Sequence, residues 1–189
     1  MNEKMKLGMI GCGRISYAHR DAAANLADKI ELISASDIDG DKMAAFCKET
    51  DIGKQFADYH DLINDKELDG VIICLPHALH HPVAIRALEA GKHVLVEKPM
   101  ALNYETAVQM ADTAQNMKKR LMVAQNRRFS RAAIEVKRMI DSGKIGELFR
   151  VVLNFLCYFE KAPAKWWYNE EMSGEPFVTI LQGSHAVDT

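Results

Sequence analysis

The apolar positions of this chain follow two alternating rhythms. Short apolar runs at Lys6–Ile10, Ile30–Ser36, Val71–Leu75, His93–Val96 and Leu121–Ala124 read as strands. Between them lie segments with helical spacing. One runs from about Ile15 to Leu26 and buries Ile15, Ala18, Ala22 and Leu26. A second is capped by Asp39 and continues through Met43, Ala44 and Phe46. A third spans Pro82–Ala90 and closes at Gly91, and a fourth is capped by Asn103 and reaches about Met117. Val71–Leu75 is apolar throughout, as a strand covered on both faces must be, and Pro76 ends it. Strand–helix alternation predicts an α/β fold, a doubly wound parallel sheet with helices on both faces.

The character of the chain changes after Gln125, so a first domain is expected over residues 1–124 and a second over 125–189. Arg131–Ile140 reads as a helix that stops near Gly143. Glu147–Phe159 reads as a long strand rich in β-branched and aromatic residues, followed by a loop over Ala162–Pro176 and the start of a helix over Phe177–Thr189. One long strand cannot bury its face without partners. The second, α+β domain is therefore expected to be truncated, or completed by a sheet from elsewhere.

Composition narrows the class of protein. The chain has 189 residues, 48% hydrophobic and 26% charged, with a formal charge of −2. Neither a nucleic-acid nor a membrane partner is expected, because both favour a basic excess. The apolar runs are too short to span a bilayer, and Met1-Asn2-Glu3-Lys4 leads into a strand with no apolar leader. Cys12, Cys47, Cys74 and Cys157 have no metal-like or disulfide-framework spacing, so they read as reduced thiols of a cytoplasmic protein. No metal site is expected.

The chemistry begins at Gly11-x-Gly13-x-x-Ser16, between the first strand and the first helix. The first glycine permits a tight turn, the second admits a pyrophosphate against the backbone, and the small third residue lets helix and strand pack closely. Helix amides and the positive dipole end then hold the phosphates. Asp37 ends the second strand, 24 positions after Gly13. A carboxylate there accepts hydrogen bonds from adenosine ribose hydroxyls and repels a 2′-phosphate, which favours NAD over NADP. Its alternative role is to begin the turn Asp37-Ile38-Asp39-Gly40. Further along, Glu97-Lys98-Pro99 places opposite charges at the carboxyl end of a buried strand, the edge where open α/β sheets bind ligands.

Taken together, Leu75-Pro76-His77-x-x-His80, Ala87-Leu88-Glu89-Ala90-Gly91-Lys92-His93 and Glu97-Lys98-Pro99 resemble the Gfo/Idh/MocA oxidoreductases. The resemblance extends through Arg127-Arg128-Phe129, Ile145-Gly146-Glu147-Leu148 and His185-x-x-Asp188. It implies a Rossmann domain followed by an α/β domain with a large open sheet. It also implies NAD(P)-dependent oxidation of a sugar or cyclitol hydroxyl, or the reverse reduction, and homo-oligomers joined through the second-domain sheet. Gly11, Gly13, Arg14, Ile15 and Asp37 then fall on cofactor positions. Leu75, Pro76, His80 and Glu97 fall beside the nicotinamide half. Lys98 matches a lysine that polarises the reacting oxygen, and His185 matches a histidine that exchanges the proton.

The sequence departs from the family pattern in its substrate half. Leu181 stands where many relatives place an aspartate supporting the histidine, and Trp167-Tyr168 replaces a tryptophan–arginine pair. Asp188 follows His185 by three residues and can share its helix face. The alternative for His185 and Asp188 is to cap and pack that helix. The alternative function is a sensor or regulatory module that binds NAD without turnover.

Overall fold

A computed structural model of the chain describes residues 3–154, 156, 158, 160–162, 164–175 and 183–188. The chain divides into two compact units, Met1–Val123 and Ala124–Thr189.

The first unit contains β1 (Met5–Ile10), α1 (Arg14–Ala24), β2 (Ile30–Ser36), α2 (Gly40–Thr50), β3 (Lys54–Phe56), α3 (Tyr59–Asn64), β4 (Gly70–Ile73), α4 (His80–Glu89), β5 (His93–Val96), α5 (Tyr104–Asn116) and β6 (Leu121–Val123). The six strands pair in the order β3-β2-β1-β4-β5-β6, with every pairing parallel. The chain winds outward from β1 in one direction and then in the other. Its crevice therefore opens at the carboxyl ends of β1 and β4, where the winding reverses.

Two cores flank the sheet, and alternate strand residues are divided between them. Ile10, Val71, Ile73, Val94 and Val96 join Leu62 and Ile63 of α3, Val83, Ala84, Ala87 and Leu88 of α4, and Met110 and Ala114 of α5. Met9, Ala35 and Ile72 join Phe46 and Cys47 of α2 on the other face. The two-residue period of a strand makes this division unavoidable in a sheet covered on both sides. Phe46 is completely buried and meets the Tyr17 ring edge-on at 5.3 Å between centroids, which ties α1 to α2. At the amino edge of the sheet, the buried Lys92 donates from Nζ to the carbonyl oxygens of Asp65 (2.6 Å) and Leu68 (2.8 Å).

Two expectations are corrected here, and two elements join those expected. In α1, Ile15 (45%), Ala18 and Ala22 are exposed and the buried positions are Ser16 and Ala23, while Leu26 (43%) lies exposed beyond the helix, which ends at Ala24. The small residues, which allow close approach to the strands, decide which face docks; the larger apolar stripe does not. β3 and α3 had no apolar run to announce them. In the second unit, which contains α6 (Arg131–Asp141), α7 (Glu170–Ser173) and α8 (Ser184–Asp188), the strand expected over Glu147–Phe159 does not form among the described residues. Phe149 (94%), Leu156 (95%) and Tyr158 (87%) stand exposed there. Extended backbone becomes a strand only when a neighbour pairs with it. Phe155, Cys157, Phe159 and most of the expected helix start at Phe177 lie outside the described residues. No helix among the described residues is long and apolar enough to cross a membrane.

Gly11 has φ +93°, and a β-carbon added there would stand 2.4 Å from the carbonyl oxygen of Cys74. Gly11→Ala is expected to lower the stability of the first unit by about 3 kcal/mol, from left-handed strain plus the clash. Urea unfolding checks this, and an unchanged midpoint would contradict the packing described.

Candidate functional site

The glycine turn is built by backbone tension between three strand ends. β1 stops at Ile10, whose carbonyl accepts Cys74 N–H at 2.8 Å. Gly11 N–H donates to Ser36 O at 2.8 Å, so the turn is pinned to β2 as well. The N-termini of α2, α5 and α6 are capped by the side chains of Asp39, Asn103 and Ser130. At α1 the cap residue is Gly13, with no side chain to offer, and the first turn holds no acidic residue. A β-carbon at Gly13 would meet nothing within 4 Å. Amides, a positive dipole end and an exposed Arg14 thus face open space, an arrangement that fits a dinucleotide pyrophosphate. Ser16, the third small residue of the loop, is fully buried, and its hydroxyl donates to Gly13 O at 2.5 Å. The serine adds a tie where glycine would only leave room.

Asp37 closes the same turn. Its Oδ2 accepts the Cys12 N–H at 2.7 Å and its Oδ1 accepts the Asp39 N–H at 2.8 Å. Each carboxylate oxygen keeps a further acceptor site, so ribose hydroxyls can still be received. Lys42 is paired with Asp39 at 2.6 Å, and Ile38 beside Asp37 is 97% exposed. Burial, followed by the charge of Asp37, pushes the Cys12 thiol up to about 12. Burial, then the charge of Glu97, raises Cys74 well above the ordinary thiol value, so neither sulfur is a nucleophile at neutral pH.

The second cluster forms where β5 ends. Glu97 N–H continues the ladder to Ile73 O at 3.0 Å. Glu97 Oε1 meets His19 Nε2 at 2.8 Å, and Glu97 Oε2 accepts the Lys98 N–H at 3.2 Å. Burial pushes the Glu97 carboxyl up, but the His19 hydrogen bond and charge, with the Lys98 amide and charge, outweigh it and hold the group below its usual range. His80 is completely buried between two loops, with Nδ1 2.7 Å from Pro99 O and Nε2 2.8 Å from Leu75 O. A neutral imidazole has one N–H, so it serves one carbonyl at a time, and a protonated ring serves both. Burial is the largest influence and lowers the His80 pKa. His77 is buried as well, with its ring 5.8 Å from that of His80.

The structure thus gathers Gly11, Gly13, Arg14, Ile15, Asp37, Leu75, Pro76, His80, Glu97 and Lys98 in one unit. His80 reaches neighbouring backbone only, through a ring with no exposed surface. His19 lies on α1, outside every motif noted in the sequence. Its pairing with Glu97 spans 78 residues, and only its position three residues after the buried Ser16 hinted at an inward orientation. His185 is buried on α8 of the second unit, where Gln125 Nε2 donates to Ser184 O at 3.3 Å. Asp188, also on α8, receives the Arg128 guanidinium, with Nε to Oδ2 at 2.9 Å. Leu181 lies outside the described residues.

Residues 5–125 match the sequence model of GFO_IDH_MocA, the oxidoreductase family with an NAD-binding Rossmann fold. The inositol 2-dehydrogenase of Salmonella typhimurium is 36% identical over 145 residues, which is 76% of this chain and 43% of that enzyme. The WlbA dehydrogenase of Bordetella pertussis, solved with NADH and UDP-GlcNAcA, superposes with a TM-score of 0.74 at 31% identity, covering 77% of this chain and 43% of that one. An NAD-binding protein from Listeria innocua has a TM-score of 0.83 at 31% identity, covering 98% of this chain and 53% of that one. An all-parallel sheet with an uncapped glycine turn at its switch point defines a dinucleotide-binding α/β protein. The chain belongs to the Gfo/Idh/MocA family of oxidoreductases, and it spans less than half the length of the curated relatives it matches.

His80 makes the site sensitive to acid. Its folded pKa lies below the unfolded value of 6.5, so the unfolded chain takes up the proton first. The stability present above pH 6.5 is therefore lost as pH falls from 6.5 through the folded pKa. His93 acts in the same direction, with burial again the largest cause, so the comparison must be between variants. His80→Gln is expected to flatten the loss of stability between pH 6.5 and 5, measured by urea unfolding at each pH. An unchanged slope would show that His80 is not buried neutral.

Proposed function

We propose that the complete protein is an NAD-dependent dehydrogenase or reductase acting on a CH–OH group of a sugar, polyol or related carbonyl compound. The observation that carries this reading is the uncapped α1 N-terminus beside Asp37, with Lys98 at the end of β5 on the same carboxyl edge of the sheet. The fit at Gly13, where open space meets helix amides, supports a bound dinucleotide. The names of the relatives, inositol dehydrogenases among them, support the substrate class.

Each residue has a part in this reading. The α1 amides and Arg14 hold the pyrophosphate, with Ile15 beside it, and Asp37 receives the ribose hydroxyls. Leu75, Pro76 and Glu97 line the nicotinamide half. When bound, the nicotinamide gives or takes the hydride. Lys98 sets its ammonium against the reacting oxygen and stabilises charge that develops there. His185 carries the proton to or from that oxygen, a task suited to an imidazole near neutral pH. The apolar tract around Phe149 and Leu156 supports a further part of this proposal. In it, the tract pairs with the sheet of a complete substrate domain and joins copies into a homo-oligomer, which light scattering on the intact protein tests. Free, buried Cys12, Cys47 and Cys74 accord with a cytoplasmic protein.

Gly13→Val is expected to leave the fold intact, since the new side chain meets open space, but to weaken NAD binding by at least tenfold in calorimetry. Equal affinity in the folded variant would remove the turn from the cofactor site. Asp37→Ala should narrow the preference for NAD over NADP, and a native preference for NADP would contradict the role given to Asp37. Lys98→Ala should cut turnover on the productive member of a polyol panel by about a hundredfold or more, with the cofactor Kd near wild type. Wild-type turnover would take Lys98 out of the mechanism.

A further inference from the structure

Lysine carries its charge on a flexible four-carbon stem, so where the ammonium goes depends on how firmly its root is held. A displacement of about 1 Å at a reacting centre costs on the order of a hundredfold in rate. Lys98 stands at a point where the sheet no longer supplies that firmness. Pairing of β5 with β4 and β6 ends at Val96, and the last backbone bond to the sheet is from Glu97 N–H to Ile73 O.

We propose that His19 and His80 are positioning residues for Lys98: they grip its backbone from two sides, His19 through the Glu97 carboxylate on the Lys98 N–H and His80 through the carbonyl of Pro99. The inference rests on the reading of Lys98 as the group that meets the reacting oxygen.

The first arm runs from α1 to the end of β5. His19 Nε2 and Glu97 Oε1 are 2.8 Å apart, with side chains only 14% and 12% exposed. That contact fixes the carboxylate plane, so Oε2 is presented to Lys98 N–H at 3.2 Å. A carboxylate so sheltered from water depends on its donors. Without His19 it loses one of them and must rotate, take a proton or draw in water, and each outcome loosens its hold on Lys98. The second arm runs from α4. The ring of His80 lies between Pro99 O and Leu75 O, and with its proton on Nδ1 it donates to Pro99 O and holds the residue after Lys98. Glu97 and Lys98 act on the His80 charge in opposite senses, and His77 is the neighbouring ring. The arms approach Lys98 from different helices, and each meets it through an atom adjacent to its own residue. Neither histidine needs to touch substrate or cofactor.

Amide exchange resolved by NMR in the whole chain tests this without knowledge of the substrate. In His19→Leu the Lys98 N–H should exchange about tenfold faster than in wild type, the equivalent of one hydrogen bond, while the amides within β4 and β5 keep their rates. His19→Gln, which carries an N–H at comparable reach, should restore protection. His80→Leu should likewise loosen Lys98, and His80→Gln, whose NH₂ can serve two carbonyls, should restore it. Should His80→Leu not fold, the wild-type ring decides that arm: a protected Nδ1–H supports it, and a proton on Nε2 alone or a ring N–H in rapid exchange with water overturns it. Unchanged Lys98 exchange in folded His19→Leu, or acceleration spread evenly along β5, overturns the first arm. Turnover with myo-inositol as the probe separates this proposal from the one beneath it. If Lys98→Ala turns over like wild type while His19→Leu loosens Lys98, the clamp stands and the catalytic reading of Lys98 falls.

Discussion

The carbonyl oxygen of Cys74 lies so close to Gly11 that only hydrogen fits between them. This contact joins the end of β1 to the end of β4 at the place where the winding of the sheet reverses, and much of the first unit is arranged around it. With no side chain allowed there, the chain turns sharply enough for α1 to begin three residues later. The start of that helix then faces the open crevice. The pairing of Ile10 O with Cys74 N–H and of Gly11 N–H with Ser36 O keeps three strand ends level. The carboxyl edge of the sheet becomes a rigid platform, on which Asp37, Glu97 and Lys98 are carried at the ends of their own strands.

Polar side chains are admitted to the interior chiefly where they hold that edge in place. Ser16 ties back to the glycine turn, Asp37 takes two loop amides, and Glu97, His19 and His80 bind the segment after β5. Lys92 performs a comparable task at the opposite edge, where its ammonium gathers two loop carbonyls. The middle of the sheet is left mainly to aliphatic residues in two separate cores, although the hydroxyl of Ser34 in β2 is fully buried there without a hydrogen bond among the described residues.

How much of this was legible follows from the range of each signal. Strands such as β5 and caps such as Asp39 and Asn103 are local, and the sequence placed them to within a residue or so. β3 has three residues, Lys54, Gln55 and Phe56, and pairs on one side only, so nothing in its composition marks it. The buried face of α1 departs from the apolar stripe because docking follows the small residues Ser16 and Ala23 rather than Ile15, and the helix ends before Leu26. The glycine turn and Glu97-Lys98-Pro99 were visible as motifs. The contacts that organise them, His19 to Glu97 and His80 to Pro99, join positions far apart in sequence and have no periodicity to betray them. The Glu147–Phe159 segment has the composition of a strand, but a strand is a relation between segments, and composition describes only one of them.

The two amides held by Asp37 bear on how cofactor choice could change over time. The carboxylate that would repel a 2′-phosphate is also the acceptor for Cys12 and Asp39, so discrimination and loop architecture share one side chain. A lineage drifting toward the phosphorylated cofactor cannot simply discard the charge, because the glycine turn would lose two of its fastenings in the same step. A neutral acceptor at position 37, such as asparagine or serine, would keep one of the two fastenings, and a cation could arrive next door at the exposed Ile38. Any change of cofactor at this site would therefore have to satisfy the loop that Asp37 fastens as well as the ribose it receives.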